Sequence, residues 1–580
     1  MNFDESAKDV EQWLLATCNA ARTLSPTECA AYKALHIRKG WEVTIGFKTR
    51  EGIVHLLLDS DFPYSPPRVA YRSGDCYLKW PHVEENGVLC LPKNSVSWTD
   101  PIEKVRVALA DACVLVDGTL HLDPSTTELS REFISYWNRA VDTSVRKIQS
   151  LLEPTRSAGE IAVWWGKDEI VAAENGEQLT HWLRNSGSTA EVQFTQGIFI
   201  RLDAPWVPPY PESLQLVVDK LRAVDPDVPG KLETHAIDNE RCVVVMAASV
   251  ETGTGLTGII IEGGILRKLN GFRPKHIPRN FKIPHWYQNA TVNHSIVNRA
   301  DAAWIHGRDK NEELAETLTK KVTILGCGAL GSHVAVRLAQ AGVGSLMLCD
   351  PETLAAANVG RHVLGMRSVG RSKSLDLANE IRRRFPHLTV EGHHTAWQHA
   401  SDEVREKIWA SDLIICAIGD WSSEGLLNEE HRVRGVPPII YCWMEEHATA
   451  AHAVGIVNQS SCIACLLNET GNTAAPETIW NDGAEEVSEP ACGAYFQPFG
   501  PVDIAYAEGI AAELAVDILT GRVAENVHRV HATSTHRLKK LGGDWSEAHK
   551  EFRGHFEGGL QFQRPIENSS ECPLCNPVHD

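Results

Sequence analysis

The chain opens on an amphipathic helical pattern and then changes period. WEVTIGFKTR and GIVHLLLDS read as two strands joined by a turn at Arg50 to Gly52. A proline corner follows at DFPYSPPRVAY, where Pro63, Pro66 and Pro67 fix φ, withhold an N–H and so end a sheet edge. From Asp100 to about Leu152 the period is helical, through VRVALADACVLVDG and REFISYWNRAVDTSVRKIQSLL, and EPTRSAGE reads as a linker. Between residues 155 and 300 short strands (EIAVWWG, RCVVVMAASV, TGIIIEGG) alternate with loops such as DAPWVPPYP, which predicts an α+β connecting domain without a catalytic motif. From about residue 301 the order becomes strand, glycine loop, helix, strand, the alternation of a parallel α/β sheet.

A length of 580 residues asks for two to four domains, and the pattern divides the chain into 1–152, 153–300 and 301–580. The formal charge of −19 makes the average surface repel phosphate backbones and anionic lipid heads, so neither nucleic acid nor a membrane is an expected partner. No apolar run of about 20 residues is present, and MNFDESAKDVEQ lacks the basic and apolar regions of a signal peptide, which predicts a cytoplasmic address. Fifteen cysteines, an odd number with two CxxC pairs, point to metal binding and thiol chemistry rather than disulfides.

KVTILGCGALGSHVAVRLAQAGVGSLMLCD sets an apolar strand before Gly326, Gly328 and Gly331, then a helix, then a strand ending at Asp350. Glycines let the backbone approach a phosphate, the helix N-terminus offers free N–H groups, and Asp350 stands where a carboxylate accepts from ribose hydroxyls. This predicts a nucleotide and leaves its identity open. Downstream lie Asn358, Arg361 and Lys373, and Asp420 after DLIICAIGD. A hydride-transferring enzyme needs no such set. Displacement of pyrophosphate does, because fixed cations offset the charge that builds on the leaving phosphates and an aspartate holds Mg²⁺.

From GCGALGS through Asp350, NVGR, Lys373 and Asp420 the chain resembles the adenylation domain of the E1 and ThiF/MoeB superfamily, over roughly residues 300–580. The resemblance implies ATP at the glycine loop, Arg361 and Lys373 on its phosphates and Asp420 near Mg²⁺. It also implies an arginine from a helix ahead of the loop, often given by a dimer partner, for which Arg308 in WIHGRDKNEEL is the candidate. Cys462 and Cys465, with Cys572 and Cys575, supply four thiolates for tetrahedral Zn²⁺. Cys492, between these pairs, matches by position the loop that carries the E1 nucleophile.

Over residues 10–150, DFPYSPPRVAY followed by WPHVEENGVLCLPKNSVSWTD resembles the ubiquitin-conjugating E2 fold, with Cys90 as acyl acceptor and Trp98 shortly after it. The family's His-Pro-Asn is here His82-Val83-Glu84, so the asparagine that supports the oxyanion is missing, with Asn86 or a backbone N–H as the candidate replacement. The implied fold is thus an α/β multidomain chain: an N-terminal α+β E2-like domain, a central α+β connecting domain and a C-terminal Rossmann-like E1/ThiF domain with a zinc site. Such fusions resemble the bacterial Cap2 enzymes of CBASS antiphage systems. That resemblance implies a homodimer, and a cGAS/DncV-like nucleotidyltransferase as the protein whose C-terminal carboxylate is activated. The alternative is a sulfur-carrier activator of cofactor synthesis, which would not require Cys90.

Overall fold

The computed structural model describes residues 2–576 apart from 19, 33–34, 49–50, 75, 93–95, 98, 120–126, 190, 274–275, 469, 481–486, 489–494, 497 and 571. It divides into two compact units, Met1–Asn175 with Gln193–Arg299, and Gly176–Val192 with Ala300–Asp580.

In the first unit the helix Phe3–Thr17 buries Phe3, Ala7, Val10 and Leu14, a three-to-four spacing that makes one apolar stripe. Asn2 caps it, its Oδ1 accepting the Glu5 N–H at 2.8 Å. That stripe and the helix Pro101–Thr119 share a core with a four-stranded antiparallel sheet ordered Ala21–Thr23, Ile37–Gly46, Glu51–Asp59, Arg68–Tyr71. Gly46 pairs with Glu51 and Ile45 with Gly52, so the turn lies between Gly46 and Glu51, earlier than the Arg50 to Gly52 expected, because Glu51 and Gly52 already pair in the second strand.

The rest of this unit is a closed barrel of seven strands, in the order Gly253–Glu262, Thr291–Arg299, Lys147–Ser150, Glu169–Ala173, Gly159–Trp165, Thr195–Leu202, Arg241–Val250. In Arg241–Val250 both faces are buried: Val243 and Val245 join one core with Ile148, Val163 and Phe199, while Val244 and Met246 join another with the helices Leu214–Val224 and Val228–Asn239. The helical reading of residues 131–152 is corrected here. The helix Phe133–Ala140 ends, Asp142 Oδ1 accepts the Ser144 N–H at 2.8 Å in a turn, and Lys147–Ser150 runs as a barrel strand, parallel to both neighbours.

The second unit carries an eight-stranded sheet. Thr389–His393, Ser345–Cys349, Lys321–Leu325, Leu413–Cys416 and Ile439–Met444 run parallel, and Ala450–Ile456, Val527–Ala532 and Leu560–Pro565 continue it antiparallel. The helices Ala329–Gln340, Lys373–Arg384 and Pro501–Leu519 share one core with the sheet, and Trp409 and Leu427, from the helices Asp402–Trp409 and Trp421–Arg434, lie in another. Near-continuous apolar strands such as Leu413–Cys416, buried throughout, follow from cover on both faces. The helix Gly176–Asn185 belongs to this unit: Trp182 stacks on His387, and Asn185 Nδ2 donates to Pro386 O at 2.8 Å. Among the described residues no helix is long and apolar enough to cross a membrane.

Candidate functional site

Lys321–Leu325 lies between Ser345–Cys349 and Leu413–Cys416, all parallel, which makes its C-terminal end the switch point of the sheet. The crevice there holds a cavity of about 280 Å³ whose wall includes Gly326, Gly328, Asp350, Glu352, Gln398 and Asp420. Each glycine does something different. Gly326 has φ 88°, and a Cβ on it would lie 2.5 Å from Ala417 O. A Cβ on Gly331 would lie 1.9 Å from Gly326 O, so helix and loop close on each other only through a bare backbone. Gly328 faces open space at the start of Ala329–Gln340 and brings no side-chain cap, so the first N–H groups of that helix are left for a ligand.

Asp350 is buried and braces the loop, its two oxygens accepting the Cys327 and Glu352 N–H groups, each at 2.7 Å. Burial lifts its pKa above the usual aspartate value despite those bonds. Lys373, buried at the first turn of its helix, pairs with Glu352 of the cavity wall. Asp420 caps the helix Trp421–Arg434, with Oδ2 accepting the Ser423 N–H at 3.0 Å. Glu424, one turn on, accepts the Gly419 N–H at 2.9 Å, and burial pushes its carboxyl up to about 7. His362 Nε2 lies 2.7 Å from Cys327 O and holds the loop from below; burial lowers its pKa to about 4, which keeps the ring neutral, and Nε2 then donates.

Not every predicted residue reaches this wall. Asn358 and Arg361 lie on the 3-10 turn Ala356–Arg361; Asn358 Oδ1 accepts the Ala355 N–H at 3.0 Å and the Arg361 guanidinium lies over the Phe499 ring at 5.4 Å. Arg308 is not on a helix. Ala302–Ile305 ends first, and Arg308 and Asp309, at φ 50° and 65°, form an exposed left-handed turn.

In the first unit Cys90 is exposed and lines a cavity of about 460 Å³ with Tyr64, Pro66, Pro67, Arg68 and Asp111 among others. Its N–H donates to His82 O at 2.8 Å, and the His82 N–H donates to Tyr136 Oη at 2.7 Å. Burial, then the negative charges of Glu84 and Glu132, hold the Cys90 thiol above the usual cysteine range. Asn86 does not replace the missing asparagine through its side chain: Nδ2 donates to Ala31 O at 3.2 Å, and the residue lines a different cavity with Tyr71 and Arg72. Trp98 lies outside the described residues.

Cys462, Cys465, Cys572 and Cys575 come together with their Sγ atoms all within 4.8 Å of one another, three of the pairs at 3.4, 3.5 and 3.7 Å. Four sulfurs bonded to one tetrahedral ion at about 2.3 Å stand roughly 3.8 Å apart, so the cluster fits such an ion. Cys492 lies outside the described residues.

The profile of the ThiF family matches residues 303–551, and that of prokaryotic E2 family B matches residues 14–145. The chain is a fusion of an E2-like and a ThiF-type domain. Relatives named ATP-dependent ubiquitin transferase-like protein Cap2 match this chain over part or most of its length. The Pseudomonas aeruginosa protein is 22% identical over 76% of this chain and 80% of its own length. The Escherichia coli protein is 35% identical over 48% and 45%, and the Enterobacter hormaechei protein 33% over 20% and 19%. Among solved structures, E. coli MccB with ATP is 16% identical over 45% of this chain and 68% of that chain, at a TM-score of 0.32.

Within the ThiF-type domain the cavity also uses residues that no motif announced. Glu352 stands two positions after Asp350 in DPE, a local signal. Gln398 gave none: its Nε2 donates to Ser423 Oγ at 2.7 Å, while Oε1 is buried without a partner among the described residues.

Proposed function

We propose that the ThiF-type domain binds ATP in the cavity at Gly326 and Gly328 and uses it to adenylate the C-terminal carboxylate of a partner protein. The observation that carries this is the convergence of two glycines of the loop, Asp350 and Asp420 on one cavity at the sheet's switch point. Asp350 accepts from the ribose hydroxyls, and Gln398 Oε1 is the buried acceptor that an adenine amino group requires. A magnesium ion held by Asp420 would supply positive charge for the phosphates, which this acidic wall otherwise repels. Lys373, paired with Glu352 of the wall, serves the phosphate end, and Asn358 and Arg361, which lie off the wall on their 3-10 turn, join it only when that turn moves in on the bound nucleotide. Arg308, exposed on its turn, is offered to a second copy in a homodimer. Zinc held by Cys462, Cys465, Cys572 and Cys575 would tie the chain's last residues to the sheet.

In the reaction the carboxylate oxygen attacks the α-phosphorus and pyrophosphate leaves. The Cys492 thiolate then attacks the acyl carbon and AMP leaves. Cys90 takes the acyl group by thioester exchange, the Cys492 thiolate departing, and an amine, lysine for preference, displaces Cys90. Tethering both thiols in one chain sets an effective concentration of about millimolar for the exchange. This is ubiquitin-like conjugation, placed in the cytoplasm where ATP and reduced thiols coexist. By likeness to the Cap2 relatives, the activated protein is a cGAS/DncV-like nucleotidyltransferase and the setting antiviral CBASS signalling.

The test is to incubate the purified chain with ATP and the partner and to look for adducts cleaved by thiol. Cys492→Ala removes both thioesters, and Cys90→Ala leaves the first. An adduct on Cys90 in the Cys492→Ala protein would reverse the order, and absence of ATP–pyrophosphate exchange with any protein tail would sink adenylation.

A further inference from the structure

Residues 263–290 carry six lysines and arginines and no aspartate or glutamate, in a chain whose formal charge is −19. The helix Arg279–Asn289 covers the barrel by burying Trp286, and it leaves its first turn outward. There Phe281 is 45% exposed and meets Phe272, 40% exposed, with ring centroids 5.6 Å apart. Arg273 follows Phe272 in the chain, and Arg279 and Lys282 flank Phe281, so the ring contact gathers all three cations to one part of the surface. Arg267 is paired with Glu240, whereas Lys268, Arg273, Arg279 and Lys282 make no ion pair with a described residue.

Two large rings left in water side by side, with unpaired guanidinium and ammonium groups around them, combine an apolar contact with an electrostatic one. Exposed aromatic and arginine side chains of this kind mark recognition surfaces. We propose that Phe272, Arg273, Arg279, Phe281 and Lys282 form a docking surface for an acidic peptide segment that carries an aromatic or aliphatic residue. Its carboxylates pair with the cations while its apolar side chain lies against the phenyl rings. Charge complementarity favours this occupant over a nucleic acid. A polyphosphate strand would run on beyond the patch over a body of the same sign as itself, whereas a peptide's negative charge can end where the patch ends.

The full-length chain is titrated against a fluorescein-labelled peptide of about ten Glu and Asp residues with two Phe, and anisotropy is read. Expected are saturable binding that weakens with added salt, at least a tenfold loss in affinity for Arg273→Glu with Arg279→Glu, and a several-fold loss for Phe281→Ala at unchanged melting temperature. Should the double variant unfold, Phe272→Ala with Lys282→Gln serves in its place. The proposal is overturned if the peptide fails to bind, if the charge-reversed chain binds it as well as the parent does, or if oligo-dT of the same length binds more tightly. None of these residues belongs to the nucleotide cavity or to the Cys90 cavity, so pyrophosphate exchange separates failure here from failure of the conjugation reading.

Discussion

Glu84 stands beside Cys90 as the ion-pair partner of Arg139, 3.0 Å away, and its charge is one cause of the raised Cys90 thiol. Glu84→Gln removes that repulsion and frees a guanidinium, so the pH midpoint for alkylation of Cys90, followed by mass spectrometry of its peptide, moves down. An unmoved midpoint would mean that burial and Glu132 set the thiol without Glu84. Burial raises Glu424 as well, to a folded-state pKa of about 7 against the ordinary 4.5. Stability from this group is present in full below 4.5 and is lost as the pH rises through 7. Glu424→Gln keeps an oxygen for the Gly419 N–H and cannot ionise. The variant should therefore gain a few degrees of melting temperature over the parent at pH 8 and little at pH 4.5; a larger gain at the acid end would contradict the assignment.

At the scale of elements, the glycine loop separates binding from folding. Gly331→Ala drives a Cβ into Gly326 O, a backbone atom, and should cost about 1–3 kcal/mol of stability together with ATP binding. Gly328→Ala points its methyl into open space at the cavity wall, so ATP binding weakens while denaturant unfolding is unchanged. The same elements show what was readable beforehand. Loop, helix and strand follow one another within thirty residues, so Gly326, Gly328, Gly331 and Asp350 were legible from local spacing. Gln398 and Ser423 meet only because two separate crossovers return to the same strand end, and no local pattern carries that. Lys147–Ser150 was misread as helix because a four-residue strand buries Ile148 and Ser150 alone, a signal weaker than the helical residues before it. Its identity comes from distant pairing, Ile148 with Val297 and with Ile170. Arg308 was placed on a helix because the left-handed turn at Arg308 and Asp309 opens on an arginine, which rarely adopts that conformation, instead of on a glycine. Cys492 was read from its position between the cysteine pairs, and the described residues do not include it.

For the molecule as a whole, the cysteine cluster joins Cys462 and Cys465 to two residues beside the chain's end, across the 107-residue separation of Cys465 and Cys572. With zinc bound there, elemental analysis should return one zinc per chain. Stripping it with a strong chelator, or Cys572→Ser, should lower the melting temperature by several degrees, because the metal closes a loop that the unfolded chain leaves open. A zinc-free preparation of full stability would leave the cluster as four packed thiols.

The barrel strand Lys147–Ser150 and the hydroxyl of Tyr136 make the first unit awkward to subdivide. A fragment ending before Phe133 forfeits the oxygen that receives the His82 N–H, while one ending after Ser150 takes a stave out of the barrel and strands Thr291–Arg299 beside a gap. Thiol site and barrel are therefore exchangeable only as a single cassette, and recombination, natural or engineered, that cuts between them leaves two incomplete pieces.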